Sequence, residues 1–257
     1  MVHLPAFAPA WWRERFDQQP MNQASTVIRA SSDPARALAN RLLTPPARIL
    51  VAAGIKANAV TAVALALSLV SAVMLALGRF DVAGPLLVFA SVGDALDGIV
   101  ARVGATASPR GALFDSAADR YQELVVLGGL AIHLRASVAA LTLVLAALLA
   151  SFMVSYGSAK AEALSVAVPD GSMRRFERAL CICAGVALVP VAGSLVRGGA
   201  LRPWLAEAPI LVALAVVAIV GNVSAALRLR VIASSIGSKE AVASSSAPTP
   251  PKLACTP

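Results

Sequence analysis

Apolar residues in this chain come in long runs broken by short polar stretches, at intervals suited to helices that cross a bilayer. Six runs stand out: 59–77, 82–101, 112–134, 136–159, 179–196 and 208–227. Each is close to the roughly 20 residues that a helix needs to traverse a hydrocarbon core. The pattern therefore predicts an all-α polytopic membrane protein with six transmembrane helices. Ahead of the first run, Asp33-Pro34 is a helix start, and 35–43 mixes apolar residues with Arg36 and Arg41 on one side. A short juxtamembrane amphipathic helix is expected there, stopped by Pro45-Pro46. Pro190 is placed to kink the fifth run. Past Ser234 the chain turns rich in Ser, Ala and Pro, which predicts a disordered tail. The expected organisation is an N-terminal cytoplasmic segment 1–33, a membrane domain 34–233 and a cytoplasmic tail 234–257, with no internal repeat.

Composition agrees with this pattern and excludes an ordinary soluble domain: 58% of residues are hydrophobic and only 14% charged. Residues 1–30 lack the apolar run of a cleaved signal peptide, and Trp11 and Trp12, followed by Arg13 and Arg15, suit a membrane interface. The net charge of +8 does not point to nucleic acid, because the basic residues sit at the ends of runs without aromatic interleaving. With six spans, eighteen Lys and Arg residues fall on one side and four on the other. The positive-inside rule then places both termini in the cytoplasm, and a bacterial inner membrane is the expected location. Cys181 and Cys183 lie within an apolar run and Cys255 in the tail, so no disulfide framework is expected. His3 and His133 read as interfacial residues.

Candidate chemistry is concentrated at 94–119, where Asp94, Asp97, Asp115 and Asp119 interrupt the second and third runs. The first two are three residues apart and the last two four apart, so each pair lies on one face of a helix. Pro109 breaks the pattern between them, giving a helix, a short loop and a second helix. An ionised carboxylate in a bilayer costs roughly 2.5–3.5 kcal/mol on the most lenient insertion scale, so four without counter-charge would oppose insertion by on the order of 10 kcal/mol. Divalent cations would relieve that cost. Clustered carboxylates, with no His or Cys nearby, suit Mg²⁺ or Mn²⁺ rather than zinc. Two such ions could neutralise a pyrophosphate during an in-line displacement.

The pattern Asp-x2-Asp-Gly-x2-Ala-Arg-x8-Gly-x3-Asp-x3-Asp is matched without a gap by Asp94, Asp97, Gly98, Ala101, Arg102, Gly111, Asp115 and Asp119. In this the chain resembles the CDP-alcohol phosphatidyltransferases, over about residues 35–232. The resemblance implies two divalent cations, with Asp94, Asp97, Asp115 and Asp119 at the metal site and Asp119 also accepting the proton of the attacking hydroxyl. It implies a CDP-linked lipid such as CDP-diacylglycerol as donor, an alcohol as acceptor, CMP as the leaving product, and a homodimer in the membrane. Gly98, Arg102 and Gly111 would lie along the nucleotide. Asn58 and Thr61 occupy a position that relatives use near the cytidine, although Ala57 stands where they carry proline; a helix cap and an interfacial hydroxyl are the alternative.

For the acceptor, the stretch from Ser155 to Glu162, followed by Arg174-Arg175-Phe176-Glu177-Arg178, resembles phosphatidylinositol-phosphate synthases. There, basic residues hold the acceptor's phosphate, and Lys160, Arg178 and Arg228 fit those places. Ser158 stands where a lysine is expected, which keeps glycerol 3-phosphate, or an unphosphorylated alcohol, as an alternative to inositol phosphate. Alternatively, the three cations mark cytoplasmic helix ends. A cation transporter is the competing class of function, since intramembrane acids also line ion paths. It would distribute its carboxylates through the bilayer depth, whereas these four gather towards one side.

Overall fold

The computed structural model of the chain describes residues 34–166, 173–199, 202 and 205–245. Among them are seven helices: α1 Pro34–Ala52, α2 Ala57–Ala76, α3 Phe80–Val103, α4 Pro109–His133, α5 Val138–Ala163, α6 Arg175–Arg197 and α7 Ala208–Ser245. The expected all-α class holds. Helices α2, α5 and α6, with the 208–237 part of α7, are long and apolar enough to cross a membrane. Helices α3 and α4 are as long, at 24 and 25 residues, but carry the aspartates. The chain divides into two compact units, Met1–Leu42 and Leu43–Pro257, and every candidate site residue belongs to the second. The N-terminal tryptophans, the rest of 1–33 and residues 246–257 lie outside the described residues.

Two boundaries differ from expectation. Pro45 and Pro46 do not stop the first helix, which carries both and runs on to Ala52. Beyond them Ala47 is fully buried against Ile99 and Val100, with Leu43, Leu50 and Val51 packed around it, so tertiary packing offsets the hydrogen bonds that the prolines remove. The tail expected to be disordered from Ser234 instead begins as helix, because α7 continues to Ser245. Extending an existing helix adds one hydrogen bond per residue without a new nucleation cost, and no proline intervenes before Pro248.

Helix α2 packs along α3 and α4, α5 along α7, and α6 against α3 and α7. One core cluster joins α2, α3 and α4 (Leu75, Leu87, Leu130) to α5, α6 and α7 (Val144, Val186, Leu214). Close approach depends on small residues. A Cβ at Gly129 would come within 2.3 Å of the Ala72 carbonyl oxygen, and one at Gly221 within 2.8 Å of the Ala150 methyl. Buried and half-buried polar groups are paired across helices: Ser71 donates to the Ala83 carbonyl at 2.9 Å and Asn222 to the Ala146 carbonyl at 3.0 Å. The outward faces are apolar, with Val63 and Leu69 of α2, Leu145 and Leu149 of α5 and Ile219 of α7 all about half exposed or more. A soluble protein rarely presents so many exposed aliphatic side chains, whereas a lipid-facing surface requires them.

Candidate active site

The link between α3 and α4 sets the geometry of the acids. Ser108 caps α4 by accepting the Gly111 N–H at 3.1 Å, and Pro109 occupies the first turn, where its missing N–H costs no helical bond. Asp94 and Asp97 on α3 thereby face Asp115 on α4. One carboxylate oxygen from each of these three lies within 4.8 Å of the others. Asp97 is only 4% exposed, and the Thr61 hydroxyl of α2 donates to its Oδ2 at 2.5 Å.

Asp119 lies one helical turn beyond Asp115 and is linked to Asp94 through Arg175, at the first turn of α6. The Arg175 guanidinium bonds both oxygens of Asp94, Nη1 to Oδ2 and Nη2 to Oδ1, the latter at 2.7 Å. Its Nη2 is also 2.8 Å from Asp119 Oδ1. That contact is one of charge only, because Asp119 Oδ1 is buried and receives no hydrogen bond of acceptable direction. Arg120 stands 3.7 Å from the other Asp119 oxygen.

The structure therefore gathers three of the four expected metal ligands directly and places the fourth beside them across Arg175. Their chemistry fits divalent cations: hard anionic oxygens from two helices, and one buried oxygen with no donor aimed at it. The expected donor-binding residues form two close pairs. Asn58 Oδ1 is 3.5 Å from where a Cβ on Gly111 would stand, and Arg102 Nη1 is 3.5 Å from where one on Gly98 would stand. Thr61 is turned onto Asp97.

The three expected acceptor cations have different surroundings. Arg228 of α7 donates to Ser158 of α5 at 2.7 Å, with its stem over Gly157. Lys160, two residues further along α5, is exposed. Arg178 is 2% exposed and committed to protein: it donates to Glu123 Oε1 at 2.5 and 3.0 Å, to the Met173 carbonyl at 2.8 Å and to Ser155 at 3.4 Å.

Glu123 and Gln122 were missed in the sequence, and Arg175 was read only as part of the acceptor stretch, without its contact to Asp94. Glu123 continues the Asp115, Asp119 ladder at the next four-residue step, so the spacing could have revealed it. Gln122 is buried and approaches Asp94 at 3.4 Å. Arg175 is 81 residues from Asp94 and carries no local signal of that contact.

Residues 55–220 match the family model described as CDP-alcohol phosphatidyltransferase. Among curated proteins, the chain is 33% identical over 144 residues to a bifunctional IPC transferase and DIPP synthase of Rubrobacter xylanophilus, covering 54% of this chain and 33% of that one. It is 32% identical over 154 residues to a phosphatidylinositol phosphate synthase of Mycobacterium marinum (58% and 66%). With the archaetidylinositol phosphate synthase of Methanothermobacter thermautotrophicus it shares 29% identity over 196 residues (76% and 87%). The chain thus spans a third of the length of the first of these relatives and about two thirds of the second. The fold is similar to that of Mycobacterium tuberculosis phosphatidylinositol phosphate synthase with CDP-DAG bound, at a TM-score of 0.62 and 24% identity over 75% of this chain and 94% of that one. The gapless aspartate signature, its assembly at the junction of α3 and α4, and a family match over most of the chain lead to one assignment: the chain belongs to the CDP-alcohol phosphatidyltransferase family.

Proposed function

We propose that the protein transfers a phosphatidyl group from CDP-diacylglycerol, or a related CDP-linked lipid, to a hydroxyl of inositol phosphate, releasing CMP. The observation that carries this reading is the convergence of Asp94, Asp97 and Asp115, with Asp119 one turn beyond. Two divalent cations, Mg²⁺ or Mn²⁺, held by these four carboxylates would supply positive charge against the donor's pyrophosphate. Thr61 fixes the rotamer of Asp97 through its short hydrogen bond. Asn58 and Gly111, with Gly98 and Arg102, border the place of the nucleotide, and the glycines leave room for it. Asp119 takes the proton of the acceptor hydroxyl; its oxygen without a hydrogen-bond donor is suited to that.

In this reading Lys160 and Arg228 address the acceptor's phosphate. Arg178 acts behind them, holding α4, α5 and α6 together through Glu123 and Ser155. Relatives named for inositol phosphate transfer support the choice of acceptor. Ser158, in the place of an expected lysine and bonded to Arg228, favours glycerol 3-phosphate as the second reading. In the proposed arrangement α3 and α4 also cross the membrane, giving six spans preceded by a juxtamembrane helix. The site and both termini face the cytoplasm of a bacterial inner membrane, as the distribution of basic residues supports. The resemblance also supports a homodimer. Purified protein incubated with CDP-diacylglycerol and a panel of alcohols and alcohol phosphates tests the acceptor, with the lipid product identified by mass. Phosphatidylinositol phosphate is the expected product; preference for an unphosphorylated alcohol over every alcohol phosphate would overturn the phosphate pocket.

A further inference from the structure

Arg175 occupies a place where the proposed chemistry needs a cation. Its guanidinium engages both oxygens of Asp94 and stands 2.8 Å from Asp119, so one positive charge joins an acid of α3 to an acid of α4. The pairing differs from that of Arg178 beside it. Arg178 is 2% exposed and its fork is filled by Glu123, Ser155 and the Met173 carbonyl. Arg175 remains 29% exposed, and the charge facing Asp119 Oδ1 makes no directed hydrogen bond. The guanidinium takes one lone pair of each Asp94 oxygen and holds the face of that carboxylate turned towards Asp119. A divalent cation held by Asp94 and Asp119 together would compete with the guanidinium for the space between the two carboxylates.

We propose that Arg175 is an internal competitor of the divalent cations: it stands across Asp94 and Asp119, and full cation loading requires its side chain to turn away. The inference rests on the two-cation reading above. Its physical basis is charge replacement. The monovalent guanidinium keeps repelling carboxylates together between catalytic cycles, and a divalent ion neutralises them more completely once the long, partly exposed side chain turns out. Arg175 is therefore a positioning residue, and its removal should strengthen metal binding, whereas loss of a merely structural arginine would weaken it.

The test is Mn²⁺ binding to the full-length protein in detergent, followed by electron paramagnetic resonance and calorimetry without substrate. Comparison is made with Arg175→Met, which keeps the stem and removes the charge, and with Arg175→Lys. Losing a charge-assisted competitor should tighten the weaker Mn²⁺ site by about ten- to a hundredfold in Arg175→Met. Arg175→Lys should fall between, because a point ammonium cannot hold both oxygens of Asp94. Thermal unfolding gives a second readout: without metal Arg175→Met should melt lower than the wild type, and saturating Mn²⁺ should raise its midpoint by more. Unchanged or weaker Mn²⁺ binding in Arg175→Met, with two ions still bound by the wild type, would overturn the competitor role alone. A wild type that binds no Mn²⁺ would overturn the two-cation reading and this inference with it.

Discussion

Asp115 and Asp119 are one helical turn apart on α4, yet their surroundings assign them different work. Asp115 converges with Asp94 and Asp97, whereas Asp119 faces a guanidinium with an oxygen that accepts no hydrogen bond. Replacing Asp119 with Asn should therefore abolish transfer while leaving much of the nucleotide affinity, because a proton acceptor matters chiefly in the transition state. Turnover and CDP binding, measured separately, check this; equal loss of both would make Asp119 a ligand only. At the acceptor end, Arg228→Ala should raise the KM for the alcohol phosphate by about ten- to a hundredfold, the value of one charge-assisted contact. The KM for the CDP-lipid should barely move. A parallel rise in both constants would reassign Arg228 to packing over Gly157.

Among the elements, α4, α5 and α6 meet at Arg178, and this pairing tests whether that arginine supports the site or touches substrate. Removing one member of a buried pair leaves an uncompensated charge, at about 3–5 kcal/mol. Arg178→Ala should therefore lower the thermal midpoint clearly, and Arg178→Met combined with Glu123→Leu should recover much of the loss. A full midpoint in Arg178→Ala, with only the acceptor KM raised, would return Arg178 to the phosphate. The helices and the acid signature were legible because both are local: apolar runs have the length of a span, and carboxylates that share ions must recur at helical spacing. The course of α1 through Pro45-Pro46 was not, since Ala47 owes its burial to Ile99 and Val100, distant in sequence. Arg175 and the commitment of Arg178 to Glu123 were hidden for the same reason. Both contacts exist only after α6 has packed beside α3 and its arginine side chains reach the acids of α4.

Over the whole molecule, charge and apolarity divide the labour: exposed aliphatic faces suit lipid, and the site aspartates gather towards the junction of α3 and α4. If all six long helices α2–α7 cross the bilayer, reporters fused after residue 1 and after residue 257 should both be active in the cytoplasm. A reporter at Arg135, between α4 and α5, should report the opposite side. Opposite locations for the two termini would remove one span and, with it, the proposed orientation. Cation-dependent phosphatidyl transfer at the aspartate site would be read out by CMP release from CDP-diacylglycerol. The protein is first treated with chelator and then resupplied with Mg²⁺ or Mn²⁺, beside Asp97→Asn and Asp115→Asn. Release by the wild type should depend on both cation and acceptor, and neither variant should release CMP. Release that survives chelation, or near-normal activity in either variant, would contradict cation-dependent transfer at this site.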